Sequence, residues 1–490
     1  MKRNVLIGLL VLWLGVPLYA GNSVIRTPTI VPPPAVQDTN RWEIFQDHLG
    51  RFVMPLPGSS PGGFWPKHSG RNYLFGAGIW VGSMDTTDRD TVVVVGYNPN
   101  SGATEWGPCL PNGDTTGAGS DSLARVYCSD VPKDTAQWPE RDSLGRAKIF
   151  SDKELWAISS ALYSPPPPGR PLGVVSLRRT LAWNSPGPWG DIVKMEFEVK
   201  NVTGRWQGRP RTLRKMIIGL CVDADIGNES STNANDQCYV TLTSGSPYPN
   251  LAVQYQLSQE GGWSITPPYF EGMNFVQTPK ATDTVRIRDS RYPHTILPGQ
   301  SLGMTAFKIW DIARDPQGTY LLLAGMFSLS DTNSAYDSDS LGPGDKRFLM
   351  CSGPFDLPND STVKLVAHII GANDSADLIR KAELLGVESR SGSVSLKPSG
   401  VTLFPSIPNP TSGFCLIRYA LPEPSPVSLK VYDISGRLVR GLEEGERSAG
   451  SQTIRWDGRN GDGLSVPSGV YLYRLVVGGF NQTRSVVLLR

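Results

Sequence analysis

"DIVKMEFEVKNVTG", residues 191–204, is the stretch on which the fold class turns. Val193, Met195, Phe197 and Val199 alternate with Lys194, Glu196, Glu198 and Lys200. A period of two sends apolar side chains to one face and charges to the other, which predicts an antiparallel strand with one packed and one wet face. Similar runs lie on either side. "VVSLRRTLAW" (174–183) sets Val175, Leu177, Leu181 and Trp183 on one face, and "TVVVVGYNPNSG" (91–102) is a β-branched run ending in turn residues. "LRKMIIGLCVD" (213–223), "GMTAFKIWDI" (303–312) and "STVKLVAHIIG" (361–371) continue the pattern. One helix interrupts it: "SADLIRKAELLG" (375–386), with Ser375 as N-cap, Asp377 in the first turn and Gly386 as the stop.

The bulk numbers agree with a strand-rich, exported chain. Its 490 residues are 39% hydrophobic, enough for two or three domains with real cores. Fifty-two glycines and 41 prolines, beside 13 tryptophans and 16 tyrosines, point to short strands and tight turns rather than disorder. A net charge of +2, without a long basic run, disfavours nucleic acid and anionic membrane as partners. Residues 1–20 read as a signal peptide: Lys2 and Arg3, an apolar core from Val5 to Leu18, and a cut after Ala20. The apolar run is shorter than the roughly 20 residues of a spanning helix, so no transmembrane segment is expected after signal removal. Residues 21–40 form a proline-rich lead-in, 41–386 a β-rich extracellular region and 387–399 a linker, and 400–490 is a small C-terminal unit with turns every eight to twelve residues. The expected fold is all-β, a large antiparallel β-sandwich region followed by a small immunoglobulin-like sandwich.

Six cysteines in an exported chain are compatible with disulfides. Proximity in sequence favours Cys109 with Cys128 and Cys221 with Cys238, while the pairing of Cys351 and Cys415 stays open. The second pair brackets "CVDADIGNESSTNANDQC" (221–238), rich in acids and amides. An EF-hand started at Asp223 would need an acid or amide at Gly227, glycine at Asn228 and glutamate at Ala234, so that motif fails. Two readings remain. Asp223, Asp225, Asn235 and Asp236 surround a calcium ion in a looser site, or they cap turns in a loop stapled between two strands.

Other motifs carry less chemistry. "GSSPG" (58–62) has the spacing of a nucleophile elbow at Ser60, but prolines 55, 57, 61 and 66 leave no helix to follow it. None of the four histidines, His48, His68, His294 and His368, has zinc-protease spacing. His368 sits within a strand, on the face with Val366 and Ile370. Glu154, Glu271 and Asp311 are carboxylates of the kind glycoside hydrolysis pairs, without a pattern that selects two of them. "WSITPPYF" (263–270) would suit a sugar-stacking platform.

"PNPTSGFCLIRYALPEPSPVSLKVYDISGRLVRGL" and "GSQTIRWDGRNGDGLSVPSGVYLYRLVVGG" resemble the C-terminal sorting domain of type IX secretion cargo. They are also similar to the immunoglobulin-like domain of flagellar hook scaffolding proteins. The landmarks are Asn409-Pro410, Tyr432-Asp433 with Gly436, Trp456-Asp457-Gly458 and Ser468-Gly469-Val470-Tyr471. This resemblance implies an address read by outer-membrane secretion machinery, and a secreted or cell-surface location in a bacterium with an outer membrane. Within residues 41–386, "FGAGIWVG", "DIGNESSTNAND", "VQYQLSQEGGW" and "YFEGMNFVQTP" resemble segments of uncharacterised secreted proteins that carry such domains, a resemblance that brings no activity with it. The functional expectation is a non-catalytic structural or adhesive surface protein binding glycans or other surface proteins. Its rival is a secreted polysaccharide hydrolase with a carboxylate pair in a cleft.

Overall fold

The computed structural model describes residues 34–489 apart from 58–59, 85–90, 117, 163–171, 229–235, 244–245, 247, 257–269, 312–319, 327–333, 339–343, 389–400, 404–405, 407–408, 410, 412 and 448–449. The signal peptide, most of the lead-in, almost all of the linker, Asn235 and most of "WSITPPYF" therefore lie outside the described residues. The principal strands of the long region are β1 (Gly76–Met84), β2 (Lys153–Ser160), β3 (Val174–Ala182), β4 (Ile192–Asn201), β5 (Leu213–Asp223), β6 (Asp236–Thr241), β7 (Leu251–Gln256), β8 (Phe270–Gln277), β9 (Ala306–Asp311), β10 (Lys346–Leu357) and β11 (Thr362–Ala372). Helix α1 (Ser375–Glu388) follows them.

They make two antiparallel sheets. The first runs β9-β10-β5-β1, extended by Arg51–Val53, and the second runs β6-β7-β8-β11-β4-β3-β2. Met195, Phe197 and Val199 of β4 meet Ile218, Leu220 and Val222 of β5 in the core between them, so the period-two pattern of residues 191–204 becomes the inner face. The opposite face is less wet than the alternation suggests: Glu196 is buried, held by Lys194 and Lys364 at 2.6 Å each. A small sheet containing Glu43–Gln46 and Arg71–Leu74 joins one end.

Both outer faces are partly covered. Leu378, Ile379 and Ala382 of α1 lie on Leu251, Val253 and Ile370 of the second sheet. The helix begins one residue earlier than the sequence suggests, because the Asp374 carboxylate, not the Ser375 hydroxyl, accepts the Asp377 N–H at 2.7 Å. Trp80, Cys221, Trp310, Leu349 and Cys351 form a second apolar layer on the outside of the first sheet.

Neither expected disulfide is made, and all six cysteines are buried thiols. For Cys221 and Cys238 the reason is topological. β5 and β6 belong to different sheets, so residues 221–238 cross between layers rather than closing a hairpin. Cys221 packs on the outside of its sheet, whereas Cys238 points into the core and donates to Gln254 Oε1 at 3.0 Å. Cys109 and Cys128 likewise have separate partners, the Leu110 carbonyl and the Asp130 carboxylate.

The C-terminal unit has its own core. β12 (Cys415–Leu421), β13 (Ser425–Asp433), β14 (Leu438–Arg447), β15 (Gly450–Trp456), β16 (Gly469–Val477) and β17 (Phe480–Leu488) form two facing sheets around Trp456, Tyr473 and Leu475. The sequence landmarks are the turn chemistry. Asp433 Oδ1 accepts the N–H groups of Ser435 and Arg437 at 3.0 Å, around Gly436 with its left-handed φ of 82°. Trp456 donates to the Arg459 carbonyl at 3.0 Å across Gly458, and Tyr471 to the Pro467 carbonyl at 2.8 Å.

Candidate functional site

Three backbone segments converge where β5 leaves its sheet. Phe75 N–H donates to the Asp223 carbonyl (2.8 Å) and Asp225 N–H to the Tyr73 carbonyl (3.1 Å), which fixes residues 223–225 against the small sheet. Gly344 N–H donates to the Asp236 carbonyl (3.1 Å), bringing the approach to β10 beside the start of β6. In β10 itself, Arg347 is the register partner of Asp223. Asp223, Asp225 and Asp345 each offer a carboxylate oxygen, and these oxygens lie within 4.8 Å of one another.

The surroundings supply few donors. Asp223 Oδ2 accepts the Tyr97 hydroxyl at 2.8 Å, while Oδ1 faces Arg347 Nε at 3.2 Å without a hydrogen bond. Arg347 also reaches Asp345 at 2.9 Å. Asp236 Oδ2 accepts Ile226 N–H (3.2 Å) and Gln254 Nε2 (3.1 Å), but Oδ1 has no donor although the residue is fully buried. Asn72 donates to the Asp225 carbonyl at 2.9 Å and leaves its own buried oxygen without a donor. Burial pushes the Asp223 and Asp236 carboxyls well above the usual carboxylate range. Arg347 pulls Asp223 back, whereas Asp225 raises both groups further and Asp345 adds to each. Burial, then Asp223, also raises the Tyr97 hydroxyl well above its ordinary value.

Of the four residues the sequence suggested, Asp223 and Asp225 meet, Asp236 stands alongside, and Asn235 lies outside the described residues. Sequence reasoning missed Asp345 and Arg347. They lie more than a hundred residues downstream, and only the antiparallel register of β5 with β10 brings them in.

A second charged cluster covers the outer face of the second sheet. Arg179 touches Glu140 and lies 3.7, 3.6 and 3.3 Å from Glu154, Glu196 and Glu198. Burial raises the Glu154 carboxyl to about 7, against the pull of the Phe150 N–H and Arg179. Glu271 is also buried, with no donor to either oxygen, and burial alone pushes it well up. Asp311 ends β9 opposite Lys346. His368 is buried in a T-shaped contact with Trp189, ring centroids 5.7 Å apart, and burial pushes it down to about 3, so it stays neutral. His294 stacks on Tyr248. Ser60 bridges back to Leu56 in a turn with no helix after it.

Residues 415–478 match the FlgD Ig-like domain family. Two curated relatives, the basal-body rod modification protein FlgD of Salmonella typhimurium and that of Salmonella typhi, are each 49% identical over 45 residues. Those residues are 9% of this chain and 19% of either relative. The C-terminal unit is thus an FlgD-type immunoglobulin-like domain. Among solved structures, a polysaccharide lyase is similar over 90% of this chain and 46% of its own, with 10% identity and a TM-score of 0.30. Dimeric latent PorU of Porphyromonas gingivalis covers 65% of this chain and 32% of its own, with 12% identity and a TM-score of 0.19. PorZ, an essential surface component of the type IX secretion system of that organism, covers 71% and 45%, with 11% identity and a TM-score of 0.14. TM-scores this low carry no argument about function.

Proposed function

We propose that the chain is a secreted, surface-associated structural or adhesive protein, exported by a type IX-like route and addressed by its C-terminal domain. The observation that supports this most is the FlgD-type domain at 415–478, folded around a core of its own behind the β-sandwich region. A unit that buries Trp456, Tyr473 and Leu475 by itself can be recognised at the outer membrane without disturbing the cargo ahead of it. The sandwich would then present its exposed strands and loops to glycans or other surface proteins. Removing residues 400–490 should retain the protein in the periplasm. Undiminished surface export of the truncated chain would overturn the address role.

The hydrolase reading draws its support from Glu154, whose carboxyl is poised near neutrality among three other glutamates. The geometry favours packing instead. Glu154 is fully sequestered from solvent, and Arg179, Lys194 and Lys364 tie up its neighbours. A glycosidic oxygen needs an acid it can touch. Hydrolysis of a polysaccharide that Glu154→Gln abolishes would reverse this preference.

A further inference from the structure

The end of the sandwich where β5, β6 and β10 meet has a charge imbalance and a set of oxygens that lack donors. Asp223, Asp225 and Asp345 gather there with Asp236 alongside, and among the described residues Arg347 makes contact with Asp223 and Asp345. Lys346, the next residue along, points to the opposite face of β10 and has interactions of its own. Among the described residues Arg347 is the cation in contact with this group, and buried carboxylates held this close together stay ionised only where a cation or donors compensate them.

The unused acceptors point the same way, independently of the charge. Asp236 Oδ1 and Asn72 Oδ1 are buried and accept no hydrogen bond, while Asp223 Oδ1 has only the Arg347 guanidinium at 3.2 Å. Buried oxygens in native proteins nearly always have a donor or a cation. Here, two with neither belong to one neighbourhood: Asn72 holds the Asp225 backbone, and Asp225 is the charge acting most strongly on Asp236.

The spacing admits a divalent cation, and the ligand chemistry favours calcium. Calcium binds oxygens at about 2.3–2.6 Å, so two ligands on opposite sides of it stand roughly 5 Å apart. The Asp223, Asp225 and Asp345 oxygens fall within 4.8 Å of one another. No nitrogen or sulfur ligand belongs to this set, which disfavours zinc and copper. Magnesium prefers a smaller octahedron in which it keeps several waters. Asp345 is the one half-exposed member, with 24% of its side chain accessible, and it opens a route from solvent.

We propose that Asp223, Asp225 and Asp345, assisted by the free oxygens of Asp236 and Asn72, bind one calcium ion that joins the two sheets of the sandwich. The ion would couple the end of β5 in one sheet to the start of β6 in the other, through the approach to β10. It goes beyond the surface-protein reading, and either can fail without the other.

The test uses the full mature chain, stripped with a chelator. Terbium is the probe, because the Tyr97 hydroxyl lies on Asp223 and can sensitise a bound lanthanide. One equivalent of Tb³⁺ should luminesce on tyrosine excitation, and Ca²⁺ should displace it. Calcium at a hundredfold excess over Kd should raise Tm by roughly 5 °C. Asp225→Asn and Asp345→Asn should each weaken binding by about 10–100-fold. Asp142→Asn, in an exposed turn, should bind like the unaltered chain. Circular dichroism of Asp345→Asn checks its fold, since this half-exposed residue is the one least needed for packing. Absence of stoichiometric Tb³⁺ binding, or equal binding by a folded Asp345→Asn, would overturn the proposal.

Discussion

The two charged clusters of the long region solve opposite problems. On the outer face of the second sheet, four glutamates meet Arg179, Lys194 and Lys364, and the charges nearly cancel. Glu196 consequently sits below its ordinary value: burial works against its charge, but the Lys194 and Lys364 ammonium groups outweigh it. At the β5–β6 crossing, Arg347 is the cation in contact among the described residues, reaching Asp223 and Asp345, and burial wins at Asp223 and Asp236. The acids are equally numerous in both places. The difference lies in the number of cations supplied by neighbouring strands, and it separates a network satisfied by the chain from one that calls for something further.

The largest expected effect strikes the unbalanced cluster. Arg347→Met removes its guanidinium and leaves Asp223 and Asp345 facing each other, and breaking a buried pair in this way costs about 3–5 kcal/mol. Urea unfolding in EDTA should show that loss in full. Calcium should recover part of it by supplying the missing charge, so an identical loss with and without calcium would erase the contrast between the clusters.

Glu154 gives the next effect, on the balanced side. Its folded pKa of about 7 stands above the ordinary 4.5. Between those values the folded state keeps a proton that the unfolded chain has released, so stability falls as pH rises through this window. The contribution is fully present below about 4.5 and lost above about 7. Glu154→Gln keeps the acceptor for Phe150 N–H and removes the titration. Its stability should match the parent at pH 4 and exceed it by about 3 kcal/mol at pH 8. Parallel pH profiles of denaturation midpoints would show that Glu154 is ionised throughout and that the network is better compensated than its burial implies.

The fold was legible where one strand face decides it. Residues 191–204 announce β4, and Met216, Ile218, Leu220 and Val222 announce β5, because a core on one side imposes a period of two. The C-terminal unit was legible through turn residues such as Asp433 and Gly436, whose chemistry is local. Sheet membership was not. Nothing within residues 213–241 says that β5 and β6 belong to opposite layers, and this is why a staple between Cys221 and Cys238 looked reasonable and is not formed. Part of the acidic site was visible for the same reason that the rest was hidden: Asp223, Asp225 and Asp236 lie within fourteen residues of one another, whereas Asp345 and Arg347 arrive through long-range register.

The smallest effect tests whether redundancy is what makes the second cluster different. Glu196 has two lysine partners at 2.6 Å, Lys194 on its own strand and Lys364 across the ladder on β11, with Arg179 a third cation at 3.6 Å. Lys364 is about a third exposed, so water screens its pair and replaces part of what is lost. Lys364→Met keeps the stem that lies along the sheet and deletes the charge. The cost should stay at or below about 1 kcal/mol, and salt should change it little, since Lys194 and Arg179 still neutralise Glu196. A double-mutant cycle with Lys194→Met checks the reasoning. If the cations are redundant, the double variant costs more than the two single ones added together, because only then does Glu196 lose both lysines. Strict additivity would mean that each lysine acts alone and that cation number is not what distinguishes this cluster from the one at Asp223.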